Sequence, residues 1–180
     1  MSEKNELKET IKIPEHVTAT YAQGVMTIKG PHGELSRTMN HPKLEIQLHD
    51  GCIEIICRGT IHRKERALVG TYRAHVRNMI KGVTEGYTYT MKTVYSHFPI
   101  KTSVDKNRVV IQNFLGERAP RYAEICDNVK VEVKGDTVIV SGIDREKVGQ
   151  TAANIERATK VKNRDVRVFQ DGIYLTSTRG

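Results

Sequence analysis

The feature that most constrains this chain is a change of hydrophobic period that occurs twice. Residues 17–21 and 25–28 alternate apolar and polar side chains around Gln23-Gly24, as the two strands of a half-buried hairpin do. Gly30-Pro31-His32-Gly33 marks a second turn. Residues 35–39, 44–48 and 52–56 read as further strands, with Asp50-Gly51 where a tight hairpin needs positive φ. The period then becomes helical from about residue 61 to residue 81. At roughly 100° per residue, Leu68, Tyr72, Val76, Met79, Ile80 and Val83 fall on one narrow face. Arg66, Arg73, Arg77 and Lys81, with Arg63, fall on a face about 120° away. Gly82 is the expected C-terminal stop.

The second half follows the same plan. Residues 87–95 form a long alternating strand. Residues 100–104 and 109–111 follow, hinged at Asp105-Lys106-Asn107. Residues 129–133 and 137–140 flank a hairpin at Gly135-Asp136. A helix is expected over 144–159, with Asp144 as N-cap, Glu146 in the first turn, and Val148, Ala152 and Ile155 as its inner stripe. Val69-Gly70-Thr71-Tyr72-Arg73-Ala74 is similar to Val148-Gly149-Gln150-Thr151-Ala152-Ala153, with one residue of slack. The pattern predicts an α+β chain made of two tandem copies of a small antiparallel sheet packed on one helix. A loose polar segment (1–10) precedes a first repeat (11–82) and a second (83–180), and 180 residues suffice for two small domains.

Charge narrows the function. The net charge is +8, and each half carries +4, so neither half is a simple basic tail. An excess of this sign points to polyanionic partners. No apolar run approaches the roughly 20 residues of a membrane span. The first twelve residues mix charges of both signs and do not read as a secretory signal. Three cysteines, an odd number, fit a reducing cytoplasmic compartment.

Catalytic and metal chemistry find little support. Cys52 and Cys57 stand five apart on a strand, which puts them on opposite faces, so one buried and one surface thiol is the simpler reading than a zinc site. There is no Gly-x-Ser-x-Gly elbow and no phosphate loop with a Lys. Glu65, Glu117, Glu124 and Glu146 are flanked by basic residues and read as solvated ion pairs. The Gly-x-x-Gly spacing of residues 30–33 matches the backbone clamp of KH domains, but that clamp joins two helices and this one joins two strands. No enzyme and no cofactor are expected; an enzyme acting on a nucleotide or RNA, and a free-standing RNA-binding regulator, are the rival classes.

Nucleic-acid binding has better candidates. Lys160, Lys162, Arg164 and Arg167 follow the last helix closely, in what reads as a loop entering a strand. Guanidinium forks and ammonium groups on a flexible loop suit an irregular RNA backbone. Tyr95-Ser96-His97-Phe98-Pro99 is the one aromatic cluster at a strand end. Tyr95 and Phe98 either cap a core, or Tyr95 and His97 reach a nucleic acid. With no pair of stacking aromatics on a sheet, recognition of shape and phosphate is the better class.

These residues carry a resemblance. The run from Ser141 to Ile155, Ser-Gly-Ile-Asp-Arg-Glu-Lys-Val-Gly-Gln-Thr-Ala-Ala-Asn-Ile, resembles the C-terminal helix signature of the large-subunit ribosomal protein L-six family. Tyr95-Ser96-His97-Phe98-Pro99 resembles the tyrosine-serine-histidine-proline motif of the same family. Asn113-Phe114-Leu115-Gly116-Glu117-Arg118, and the closing run from Arg167 to Leu175, resemble its archaeal and eukaryotic branch. The proline- and lysine-rich ending of bacterial members is missing, and the likeness extends over roughly 11–175.

The resemblance implies two related domains and a structural role in the large ribosomal subunit, in the cytoplasm. The second domain would dock on large-subunit rRNA near the sarcin–ricin loop and the stalk base, among neighbouring ribosomal proteins and close to where translational GTPases bind. By motif position it puts rRNA contacts on Lys160, Lys162, Arg164 and Arg167, and adds Tyr95, Ser96, His97, Arg118 and Arg121. The basic face of the first helix (Arg66, Arg73, Arg77, Lys81) has no family motif to transfer and is kept as a possible additional surface.

Overall fold

A computed structural model of the chain describes residues 6–49 and 51–180. Asp50 of the expected Asp50-Gly51 turn therefore lies outside the described residues; Gly51 has φ +83°. The chain forms two compact units, 1–85 and 86–180.

The first unit contains β1 (Glu6–Lys12), β2 (Thr18–Ala22), β3 (Val25–Gly30), β4 (Gly33–Thr38), β5 (Leu44–His49), β6 (Cys52–Arg58) and α1 (Arg63–Thr84). Two antiparallel sheets, ordered β1-β6-β5 and β2-β3-β4, share one core with α1. The alternation read from the sequence is what buries Met26 and Ile28 of β3 and Ile53 and Ile55 of β6 completely. Gln23 and Gly24 both have positive φ, the geometry a two-residue hairpin loop needs to match strand twist.

The second unit repeats this order: β7 (Tyr87–Val94), β8 (Lys101–Asp105), β9 (Arg108–Gln112), β10 (Arg121–Glu124), β11 (Val129–Lys134), β12 (Thr137–Gly142), α2 (Arg145–Ala158) and finally β13 (Gly172–Arg179). Its sheets are β8-β9-β10 and β11-β12-β7-β13. Strand for strand, β7 to β12 and α2 stand where β1 to β6 and α1 stand, and β13 is an addition. The paired helix motifs fit this: Val69 and Val148 are both buried. Asp144 caps α2, its carboxylate accepting the Glu146 N–H at 2.9 Å. Val148, Ala152 and Ile155 seat the helix on the sheet, each larger side chain contributing about 1.5–3 kcal/mol by burial.

Several expectations are corrected. The segment taken as loose is in part a strand: Glu6–Lys12 pairs along the whole of β6. Its charges hide the alternation, yet Leu7 packs against the core and Ile11 is buried. α1 does not stop at Gly82, which is buried within its last turn. It ends at Thr84, and Gly86 supplies the left-handed residue beyond, at φ +74°. The buried stripe of α1 runs through Glu65, Val69, Val76, Met79, Ile80 and Val83, so Val69 takes the place expected of Leu68. The strand β10 has no counterpart in the sequence reading, and the strand expected after the cationic loop, β13, begins only at Gly172. The turn at residues 30–33 joins β3 to β4, and its His32 N–H donates to the Val83 carbonyl at 2.9 Å, satisfying one of α1's terminal carbonyls.

Glu65 is the one charged residue in that stripe, 7% exposed. It accepts hydrogen bonds from Lys43 Nζ at 2.7 Å and the His62 N–H at 3.1 Å, so it closes the first turn of α1. The Lys43 hydrogen bond, with backbone N–H donors behind it, holds its carboxyl down at about 2.

Candidate nucleic-acid interface

The basic segment after α2, read from the sequence as a flexible loop, is held in place in the second unit, and the hold begins at Thr159. This residue ends α2 and is 3% exposed. Its hydroxyl accepts the Ile173 N–H of β13 at 3.1 Å and lies 3.2 Å from the Glu156 carbonyl. One hydroxyl thus holds both ends of the connection 160–171. Between those ends, Val161 and Phe169 are half-buried against the core. The Asp165 carboxylate accepts the Arg167 N–H at 2.9 Å, and the Asp165 carbonyl accepts the N–H groups of Val168 and Phe169 at 3.1 and 2.9 Å. The connection is therefore a pinned loop rather than a free tether.

Lys160, Lys162, Arg164 and Arg167 all project from it into solvent. Arg164 lies over the Phe169 ring, 4.9 Å from its centroid, which orients the guanidinium without consuming its donors. Val166 and Val168 are also exposed, at 63% and 68%.

Arg121 plays a different part from the one expected. Its Nη1 donates to the Ala158 and Lys160 carbonyls at 2.9 and 3.1 Å. Its Nε and Nη2 form a fork with Glu117 at 2.8 and 2.6 Å, and its plane covers Phe114 at 4.2 Å. The side chain is occupied inside the protein, tying the end of α2 and the start of the cationic loop to residues 114–121. The Arg121 hydrogen bonds hold the Glu117 carboxyl below the ordinary range, and the Arg164 charge acts in the same direction.

The aromatic cluster also resolves differently from the core reading. Tyr95 and Phe98 are 40% and 42% exposed, because β7 ends at Val94 and the chain leaves the sheet there. Ser96 and His97 are exposed between them. The Pro99 carbonyl accepts from Asn113 Nδ2 at 3.1 Å, and the Phe98 ring packs closely over Gly116, 3.2 Å from where a Cβ would stand; Gly116 has φ +77°. The residue 95–99 loop thus leans on residues 113–116, which lead through Glu117 and exposed Arg118 to Arg121. Gly172 of β13 pairs with Val94, so the cationic loop returns beside Tyr95. The structure gathers the second-unit candidates at one end of that unit.

In the first unit, Arg66, Arg77 and Lys81 are exposed. Arg73 is not available in the same way: its Nη1 bonds both Glu9 oxygens at 3.1 Å. Sequence reasoning missed Thr159, Phe169 and the clamp role of Arg121. Only the last left a local signal, the i, i+4 spacing of Glu117 and Arg121.

No group of three or more His, Cys, Asp or Glu placed to hold a metal occurs among the described residues. Cys57 is buried, and Cys52 and Cys126 are half-buried; all three are free thiols. No helix among the described residues is long and apolar enough to cross a membrane.

Comparison with known proteins agrees with the duplication. The family model described as Ribosomal protein L6 matches residues 13–86 and again 98–172. A large ribosomal subunit protein uL6 from Methanobrevibacter smithii is 48% identical over 171 residues, covering 95% of this chain and 96% of the relative. Its namesake from Methanothrix thermoacetophila is 48% identical over 97% of this chain and 98% of its own. One from Methanosarcina mazei is 47% identical over 94% and 96%. Matches to both units, and alignments that run through nearly the full length of chain and relatives, lead to one assignment: the chain belongs to the ribosomal protein L6 family.

Proposed function

We propose that the chain is a non-enzymatic, structural constituent of the large ribosomal subunit in the cytoplasm, and that its second unit grips large-subunit rRNA through the loop after α2. The observation that carries this reading is the pinned cationic loop: Lys160, Lys162, Arg164 and Arg167 exposed on a segment anchored at both ends by Thr159. Counterion release by such groups supplies affinity without base reading. Tyr95, Ser96, His97 and Arg118 flank the loop and extend the contact surface. Arg121 serves it indirectly, as the clamp that orients the loop's first residue.

The family likeness supports a location near the sarcin–ricin loop and the stalk base, beside neighbouring ribosomal proteins and within reach of translational GTPases. A rigid mount there would hold rRNA in place while factors come and go. The test is retention on the particle. Large subunits carrying Lys160→Gln, Lys162→Gln, Arg164→Gln and Arg167→Gln together should lose the protein at a lower salt concentration than wild-type subunits. Equal retention through a salt gradient would remove the loop from the interface.

A further inference from the structure

The duplicated architecture leaves a position in the first unit that the second unit fills. In the second unit β7 lies between β12 and β13, whereas in the first unit β1 has β6 on one side and, among the described residues, no strand on the other. The two positions correspond closely. The Ile13 N–H donates to the Gly51 carbonyl at 2.8 Å, and the Thr93 N–H donates to the Asp136 carbonyl at 2.7 Å, at the same place in each sheet. Ladder alternation then turns the backbone groups of Lys8, Thr10 and Lys12 away from β6, toward the open side. In the second unit the matching Thr90 carbonyl accepts the Thr176 hydroxyl of the added strand at 2.9 Å.

The helix beside this edge corresponds as well. Counting from the paired Val69 and Val148, Arg77 stands where Glu156 stands and Ile80 where Thr159 stands. Those two residues are the ones that clasp β13: Glu156 accepts the Leu175 N–H and Thr159 the Ile173 N–H, both at 3.1 Å. In the first unit the same space is an open cleft of about 450 Å³ between β1 and the end of α1. Ile11 and Ile80 line it, with Lys12, Arg77 and Lys81 around them. None of these three cations makes an ion pair with a described residue, unlike Arg73 one turn earlier; Glu85 is the carboxylate on the lining.

We propose that this cleft receives an extended acidic segment of a neighbouring polypeptide, added as a further strand on the outer edge of β1. The edge provides ladder hydrogen bonds, the floor takes one or two apolar side chains, and Arg77, Lys81 and Lys12 pair with carboxylates where the second unit instead carries an acceptor in Glu156. An RNA backbone could use the charges but not the ladder edge, so the peptide is the occupant the geometry favours. This surface is separate from the second-unit loop and stands or falls independently of the rRNA reading.

The experiment titrates the isotope-labelled full-length chain with a synthetic peptide of alternating valine and glutamate, its termini blocked. Its lysine counterpart and a single-stranded RNA oligonucleotide are titrated in parallel. The acidic peptide should shift the amide resonances of Lys8, Thr10 and Lys12 and those around Arg77, and the lysine peptide should not. Thr10→Pro removes one outward N–H from an edge strand, where proline is tolerated, and should abolish binding. Arg77→Glu with Lys81→Glu changes only exposed positions and should weaken binding by about tenfold, which is about 1.4 kcal/mol for the pair. Absence of shifts on β1, equal binding by both charge variants of the peptide, or tighter binding of the RNA at the same residues would overturn the proposal. If Thr10→Pro proves unfolded, the charge-reversal pair decides alone.

Discussion

Thr159→Val removes one oxygen from the interior of the second unit and nothing else of comparable size. The valine side chain has the same shape, so no cavity opens, but the Ile173 N–H loses its acceptor at 3.1 Å. Ile173 is fully buried, and water cannot replace the hydroxyl without entering the core. An orphaned buried donor costs about 1–3 kcal/mol. The hydroxyl's own longer bonds to the Ile155 and Glu156 carbonyls, at 3.3 and 3.2 Å, add little, because both carbonyls sit at a helix end. For a unit of this size, about 2 kcal/mol lowers the melting midpoint by on the order of 10 °C. The two units need not unfold together, so the assay should follow second-unit signals, such as resolved methyl resonances on heating. Thr159→Ser is the control. It keeps the acceptor and loses a methyl, at about 1 kcal/mol. The argument fails if valine is tolerated as well as serine, for then the hydroxyl does not hold β13 to α2. The rRNA salt slope should be unchanged in folded Thr159→Val protein, since no cation is removed.

Other expectations follow from the first unit. The Glu65 carboxyl is depressed to about 2 from an ordinary 4.5, so its contribution is complete above pH 4.5 and is lost as pH falls toward 2. Glu65→Gln should therefore lower first-unit stability at neutral pH and flatten its acid dependence between those values, as read from unfolding at a series of pH values. A Cβ at Gly30 would lie 2.8 Å from both the Cγ2 and the carbonyl oxygen of Val83. Gly30→Ala should cost about 1–3 kcal/mol by denaturant unfolding, through displacement of the end of α1. Gly70, exposed in mid-helix with nothing within 4 Å of an added Cβ, should behave oppositely. Gly70→Ala should stabilise the first unit by about 0.5–1 kcal/mol.

What could be read from the sequence divides along physical lines. Hairpins and helices announce themselves by local period and turn chemistry, so β2 to β9, β11, β12, α1 and α2 were legible, as was the duplication through the Val69 and Val148 motifs. β1 was obscured because an edge strand carries charge on its solvent face. A strand after the cationic loop was legible, but the bounds and pairing of β13 were not, for a different cause. Only its first residues, Gly172 to Ile173, are buried, and the rest is exposed, so its pairing with β7 is dictated by tertiary structure rather than by alternation. The cationic loop was visible as composition. Its anchoring was not, since Thr159 and Arg121 act through bonds to residues far away in sequence. The Arg121 side chain shows the limit of a charge-based reading: a guanidinium in the right neighbourhood can be spent on its own protein's carbonyls.

The most direct test is the salt dependence of binding between the full-length chain and large-subunit rRNA. Replacing Lys160, Lys162, Arg164 and Arg167 together by Gln should make the log–log slope shallower by about 3, at 0.7–0.9 per lost phosphate contact, while second-unit melting stays within a few degrees of wild type. A slope identical to wild type would contradict the account, because those four cations would then not be meeting phosphates.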